Sequence, residues 1–291
     1  MNLELKPYLI GGATGELDSF DRLDTDAELD MGLDAKYEVR PGLVLDATLN
    51  TDFAQVEVDD QQVNLTRFSL FFPEKRDFFL ENGGIFEMGW RGTFEPPPFL
   101  LFFSRRIGIS EDGPVPVPGG LRLSGRAGGQ TVGLLNVVTD DAFGEPRENH
   151  AVARVKRDVG GSSYVGAMFT DRRSVGNWNS TAGVDWSFWP TSVLNVQGFA
   201  AGTATSGAGG DGAAYRLGVD YQTDRFGIAA GHLGVGPEAT ADLGFITRND
   251  VQRSDAFIRG RRSSGCGRST YSGATSCLPV SAGRCRIGRP G

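Results

Sequence analysis

The stretch "LDMGLDAKYEVR" at residues 29–40 alternates strictly between apolar and polar side chains. Leu33 and Tyr37 share one face of such a segment, whereas Asp34 and Lys36 share the other. Twelve alternating residues indicate a β-strand that is longer than the usual five or six. A turn follows at residues 41–42, and the alternation resumes from Leu43, which predicts a hairpin of long strands.

The same pattern recurs at residues 151–156, 184–188 and 215–222, each time followed by a tight turn and a second alternating segment. Segments with a helical period are not evident. The sequence therefore predicts an all-β fold, an antiparallel meander of about a dozen strands.

The lengths of the connections bear on where such a meander would reside. Turns after residues 40, 158, 189 and 222 are short, whereas connections near 139–150, 171–181 and 202–213 are long and polar. Short turns at one end and long loops at the other are typical of a transmembrane outer-membrane β-barrel. Aromatic residues near the short turns fit the interfacial girdle of such a barrel, namely Trp186, Phe188, Trp189 and Tyr221. A soluble barrel with its apolar face turned inward has the same alternation and stays open as an alternative.

The composition argues against two classes of protein, those that cross a membrane with helices and those that bind nucleic acid, but it does not indicate a function. The 291 residues include 42 glycines, and no segment approaches the roughly 20 apolar residues of a membrane-spanning helix. A net charge of −7 argues against a nucleic-acid partner, which would require clustered basic residues. The first residues have no signal-peptide pattern, so an exported protein would need a start further upstream.

The final residues differ from the rest of the chain. From residue 257 onward the sequence is rich in Arg, Ser and Gly, and it holds Cys266, Cys277 and Cys285. Their spacing matches no zinc site, and three cysteines cannot all form disulfides with one another. We therefore expect a domain over 1–256 and a non-native or disordered tail over 257–291.

The strings "VNLTRFSLFFPEKRDFFLE" and "LFFSRRIG" are long and specific. They resemble an uncharacterised outer-membrane β-barrel family, domain of unknown function 5916, and the likeness extends over residues 1–256. The resemblance implies part of a barrel with a segment inserted around residues 71–118. Members often carry a preceding module similar to carbohydrate-binding family 9, and some are labelled hydrolases on that basis. The module does not occur in this sequence, which we expect to be a fragment.

Candidate chemistry is concentrated in that motif. A hydrolase interpretation would pair two of its carboxylates, and its charged residues are Glu74, Lys75, Arg76, Asp77 and Glu81. The structural interpretation has its aromatics anchoring a segment folded into the lumen while the charges pair with lumen residues; those aromatics are Phe71, Phe72, Phe78 and Phe79. Arg105 and Arg106 could pair with the acids or face an anionic ligand.

Other signatures of catalysis are missing from the sequence. Two histidines give little basis for a metal site, and nucleophile elbows, P-loops and dinucleotide fingerprints do not occur. We predict no cofactor. The expected location is the bacterial outer membrane, the expected partner is its lipid, and a glycan or small solute is a further candidate. The expected function is a channel or membrane anchor, with a carbohydrate-binding or carbohydrate-hydrolysing envelope protein as the alternative.

Overall fold

The computed structural model describes residues 3–17, 23–51, 70–90, 97–110, 113–207 and 211–260. Its strands are β1 (Leu3–Leu17), β2 (Leu23–Arg40), β3 (Leu43–Thr51), β4 (Gly89–Trp90), β5 (Phe99–Leu100), β6 (Val117–Ala127), β7 (Gln130–Thr139), β8 (Glu148–Gly160), β9 (Ser163–Ser174), β10 (Asn177–Thr191), β11 (Leu194–Thr205), β12 (Gly212–Gln222), β13 (Phe226–Val235), β14 (Phe245–Ile246) and β15 (Val251–Gly260). Helix α1 (Asp77–Leu80) and two 3-10 helices, Gly83–Phe86 and Ser104–Arg106, complete the elements. Among these residues, no helix has the length and apolar character needed to cross a membrane.

Twelve strands form one antiparallel sheet in the order β1-β2-β3-β6-β7-β8-β9-β10-β11-β12-β13-β15. The predicted all-β antiparallel meander is therefore confirmed. We call this sheet the wall, and the described residues between β3 and β6 (70–90, 97–110 and 113–116) the insert. A second sheet of order β14-β5-β4 joins the insert to the 236–250 loop. In the described part of the chain β1 and β15 are the two edges of the wall, and β15 extends four residues past the boundary predicted at 256.

Tight turns lie at one end of the wall. Gly128 and Gly129 connect β6 to β7 with φ of 58° and 78°, and two positive φ angles give the hairpin turn whose twist matches that of the strands. At the other end lie the insert and the connections 140–147, 206–211 and 236–250. The long connection predicted near 171–181 is wrong, because β9 and β10 run through it and turn at Val175 and Gly176. Polar residues on both faces of these strand ends hid the alternation.

The two faces of the wall differ in chemistry. Large apolar residues point away from the insert and are exposed, as with Met31 at 66%, Leu121 at 53% and Leu217 at 52%. Facing the insert, Arg122 is 2% and Arg154 is 1% exposed. A water-soluble barrel has the opposite arrangement, with its apolar rows packed inward.

The insert and the 236–250 loop pack against part of the inner face of the wall. Phe99 of the insert stacks on Phe199 of β11 with ring centroids 5.1 Å apart. This contact belongs to a buried cluster that includes Phe86, Met88, Phe99 and Leu101 from the insert and Val137, Val152, Met168 and Phe199 from the wall. The predicted inserted segment is therefore present, and it packs against the inner side of the wall.

Candidate functional site

The insert sits against glycines of the wall. A Cβ atom on Gly133 would lie 2.8 Å from the Phe86 ring and 2.9 Å from Ile85, and one on Gly183 would lie 2.5 Å from Met88. Real Cβ atoms do not approach other atoms so closely, so a larger residue at Gly133 would displace the insert, whereas at Gly183 the flexible end of Met88 would have to move aside. These glycines of β7 and β10 therefore allow the insert to dock closely, and they account for part of the high glycine content.

Glu74 and Arg76 form a buried pair inside the insert. Arg76 donates through Nε and Nη2 to the two carboxylate oxygens of Glu74 at 2.8 and 2.7 Å. It also donates to the carbonyls of Ile107 at 2.6 Å and Ser104 at 2.8 Å. The Ser104 hydroxyl in turn donates to Glu74 at 2.6 Å. The pair thus holds the first half of the insert to the second.

The neighbouring cations lower the pKa of two motif carboxylates, Glu74 inside the insert and Glu81 at the wall. Burial raises the pKa of Glu74, but hydrogen bonds and charge from Arg76, together with the Ser104 hydroxyl, outweigh it and leave the pKa below its ordinary value. The hydrogen bond from Lys36 lowers the pKa of Glu81, against a smaller effect of burial. The carboxylic acid that protonates the leaving group in a glycosidase needs a raised pKa. Both groups are therefore ionised structural partners, unsuited to donate a proton.

Arg122 of β6 joins the wall to helix α1. Its Nε and Nη2 donate to Asp46 Oδ2 of β3 at 3.2 and 2.8 Å. Its Nη1 donates to the carbonyls of Phe78 and Glu81, and the guanidinium lies 5.2 Å from the centre of the Phe78 ring. One buried side chain thereby holds two strands of the wall and the end of the motif together.

The register of the wall assembles the rest of this cluster. Lys36 of β2 is opposite Asp46, and Asp46 is opposite Arg122, so the three form one row across three strands. Glu81 accepts from Lys36 Nζ at 2.5 and 2.6 Å and lies 3.4 Å from Arg122 Nη2. We call Lys36, Asp46, Glu81 and Arg122 the latch cluster. Its two cations balance its two carboxylates; Arg122 and Asp46 are buried, where an unpaired charge would be costly, whereas the side chains of Lys36 and Glu81 are partly exposed.

Arg105 and Arg106 contact backbone carbonyls. Arg105 Nη1 donates to the carbonyl of Pro73 at 3.3 Å, and its guanidinium lies 5.7 Å from the centre of the Phe72 ring. Arg106 is exposed, and its Nε donates to the carbonyl of Gly244 at 3.3 Å. These contacts connect the insert to itself and to the 236–250 loop.

The remaining motif residues divide between the core and the surface. Phe71 stacks on Phe103 at 4.9 Å and meets Phe245 edge-on at 5.3 Å, and Phe79 is buried beneath the guanidinium of Arg76. The backbone N–H of Lys75 donates to Glu74 at 3.0 Å. Asp77 is exposed at the start of α1. The motif thus combines aromatic anchors with one internal ion pair and one link to the wall.

Two further arginines of the inner face, Arg154 and Arg172, form ion pairs that were not singled out from the sequence. Arg154 donates to both oxygens of Asp185 at 2.6 and 2.7 Å, and both residues are buried. Arg172 binds Glu148 and donates to Asp242 of the 236–250 loop at 2.9 Å. The alternation places Arg154 and Asp185 on the polar face, but only the strand register brings them together. Within the described ranges, no three His, Cys, Asp or Glu residues are grouped as a metal site.

Comparison with models of known protein families shows to which family the chain belongs. The model of DUF5916, a domain of unknown function, matches residues 1–160. The protein belongs to the DUF5916 family. The DUF5916 match spans β1 to β8 together with the insert, so it includes the motif and the latch cluster. The family resemblance inferred from the motif is confirmed over residues 1–160.

Several solved structures are similar to this DUF5916 chain at low identity. A loop L8 deletion mutant of OmpT, an outer membrane protein of Vibrio cholerae, has 10% identity and a TM-score of 0.36, with 84% of this chain and 95% of that chain covered. OmpT of Vibrio cholerae expressed in the outer membrane has 11% identity and a TM-score of 0.31, with 84% of this chain and 92% of that chain covered. A mutant of the Rh. blastica porin has 13% identity and a TM-score of 0.23, with 80% of this chain and 94% of that chain covered. No curated protein sequence matches this one.

Proposed function

We propose that this protein forms the wall of a bacterial outer-membrane β-barrel whose lumen is filled by its own insert. In this state it would serve as a closed channel or as a membrane anchor. The observation that carries the proposal is the reversed exposure of the two faces. Leu121 is 53% exposed while its neighbour Arg122 is 2% exposed; a solvent of acyl chains favours this arrangement, whereas water does not.

The dimensions of the outward face support a membrane location. Trp178 at 44% and Phe188 at 39% are both exposed on the outward side of β10. Ten residues at about 3.3 Å each and a tilt of about 40° give a height of about 25 Å between them. Exposed Trp189 and Tyr221 lie close to Phe188 at the tight-turn end. These aromatics therefore have the separation expected of the two interfacial aromatic girdles of an outer-membrane barrel.

The inner face supports a filled lumen. Insert residues such as Phe99 and Leu101 are 0% exposed against the wall, and the latch cluster neutralises the charges at that contact. Opening a water-filled path there would require the insert to move away from Gly133 and Gly183 and to break its contacts with Arg122. The insert is therefore suited to close the barrel under resting conditions.

Refolding of the complete natural protein into lipid vesicles tests the proposal. We expect the protein to float with the vesicles and to show little conductance in a planar bilayer, whereas Gly133→Leu, which displaces the insert, should conduct. Recovery of a folded monomer from buffer without detergent would refute the membrane location. High conductance of the unaltered protein would refute the filled lumen, and saturable glycan binding without conductance would favour the carbohydrate-binding alternative.

A further inference from the structure

The outward face of the β9–β10 ladder changes from polar to apolar along its length. Its outward residue pairs, starting from the turn at Val175, are Arg173 with Trp178, Asp171 with Ser180, Phe169 with Ala182, Ala167 with Val184 and Val165 with Trp186. We call this series the lipid column. A charged cluster lies at one end of this column, and apolar residues occupy the rest of its length.

The polar end of the lipid column presents a positive group. Asp171 accepts from Arg173 Nε at 2.7 Å and from the Ser180 hydroxyl at 2.5 Å. The side chain of Asp171 is only 9% exposed, whereas that of Arg173 is 69% exposed. Because Nε takes one of the five guanidinium N–H donors, the terminal nitrogens remain available at the exposed side. The buried carboxylate thus orients a guanidinium whose outer end can meet an anion.

A cavity lies beside this guanidinium. It measures about 410 Å³ and is lined by Arg173, Ser174, Gly176, Asn177, Trp178 and Ser180. The lining combines a cation, hydroxyl and amide groups, and an indole ring that is 44% exposed. Guanidinium groups bind phosphate through paired hydrogen bonds, and tryptophan is favoured where lipid headgroups meet acyl chains. The cavity therefore has the chemistry of a headgroup site.

The apolar end of the lipid column has the length of one leaflet. Phe169, Val184 and Val165 are 43%, 48% and 41% exposed, respectively. Six residues from position 171 to 165 cover about 20 Å of strand, or about 15 Å of height at a tilt of about 40°, half of the roughly 30 Å hydrocarbon core. A single acyl chain can lie along this track.

We infer that the lipid column binds one lipid with a phosphate-bearing anionic headgroup. The phosphate would lie on the terminal nitrogens of Arg173, and an acyl chain would lie along Phe169 and Val184. This inference rests on the membrane location proposed above. A lipid fits better than a free anion, because an apolar track for an acyl chain lies on the same strand pair as the exposed guanidinium of Arg173.

Native mass spectrometry of the complete protein, released from vesicles of phosphatidylcholine and phosphatidylglycerol, tests the inference. We expect preferential retention of one phosphatidylglycerol. Arg173→Gln should weaken that retention about five-fold, the usual contribution of one basic residue at an anionic membrane surface. Arg126→Gln is the matched control, because Arg126 is 76% exposed but faces the inner side at the tight-turn end; it should change retention less than two-fold, well below the effect of one surface charge.

The outcomes separate this inference from the proposed function. Equal retention by the unaltered protein and Arg173→Gln, or equal retention of the two lipids, overturns the lipid column as a binding site. Inorganic phosphate that displaces the lipid at millimolar concentration, and that binds equally well without vesicles, would overturn it in favour of a free-anion site. Failure of the protein to float with vesicles would refute the membrane location itself, and retention would then be lost for every variant.

Discussion

Leu121→Arg tests the lipid-facing assignment of the wall most directly. Leu121 lies near the middle of β6, its side chain points outward, and it is 53% exposed. In a water-soluble protein a half-exposed leucine away from special contacts can be replaced at a cost of about 0.5 kcal/mol or less. In a bilayer, arginine near the midplane of a barrel strand costs about 2–4 kcal/mol of the free energy of unfolding. The two environments therefore predict results that differ several-fold.

A denaturant titration of protein refolded in phosphatidylcholine vesicles measures this cost. With a slope of about 1–3 kcal/mol per molar urea, the midpoint should fall by about 1 M or more. Gln197→Arg is the matched control, since Gln197 faces the inner side, is exposed, and donates to Asp220 at 2.9 Å. An arginine there keeps a partner and should shift the midpoint little. Equal shifts for the two variants would refute the assignment of the faces.

Three other predictions concern the insert. Arg122→Met leaves the buried carboxylate of Asp46 without its main partner and should lower the free energy of unfolding by about 3–5 kcal/mol in a denaturant titration, with much of the loss recovered when Asp46→Asn is added. Gly133→Leu places atoms where Phe86 packs and should raise bilayer conductance several-fold while the wall stays folded by circular dichroism. The folded-state pKa of Glu74 is lowered. Its stabilising contribution is therefore complete above its unfolded pKa of about 4.3 and is lost as the pH falls through the folded value. Proteolysis of the insert should increase in acid, and Glu74→Gln should remove this pH dependence.

Each of these predictions has a result that would count against it. A double variant at Arg122 and Asp46 no more stable than the single one would mean that the unpaired carboxylate is not the cause of the loss. Unchanged conductance of Gly133→Leu would show that the Phe86 contact does not close the lumen. An acid response that persists in Glu74→Gln would assign the pH dependence to other groups.

The alternation along the chain predicted the wall well, because a half-buried strand requires period two. Asp46 and Arg154 could be placed on the polar face in this way. The contact between Lys36 and Glu81 could not be predicted, since it joins residues 45 positions apart through the docking of a segment without regular periodicity. The Arg154–Asp185 pair likewise depends on strand register, which alternation leaves undetermined.

The continuity of β9 and β10 through residues 171–181 could not be predicted for a different reason. Asp171, Arg173 and Ser180 are polar residues on the outward face, so the contrast between faces disappears where these strands leave the apolar band. Alternation of hydrophobicity reports the environment on each side of a sheet. It therefore fails where both sides are polar, even though the backbone remains extended.

The position of the insert between β3 and β6 sets the order in which the wall can assemble. Most neighbouring strands are joined by a few residues and can pair as soon as they form, but pairing of β3 with β6 must close a loop over residues 52–116. Compared with a two-residue turn, this closure costs about 3 kcal/mol of chain entropy. Gly133 and Gly183, against which the insert packs, belong to strands that follow the insert in the chain, so the insert can dock there only once β7 and β10 are in place. Pairing of β3 with β6 across this loop joins β1, β2 and β3 to the rest of the wall.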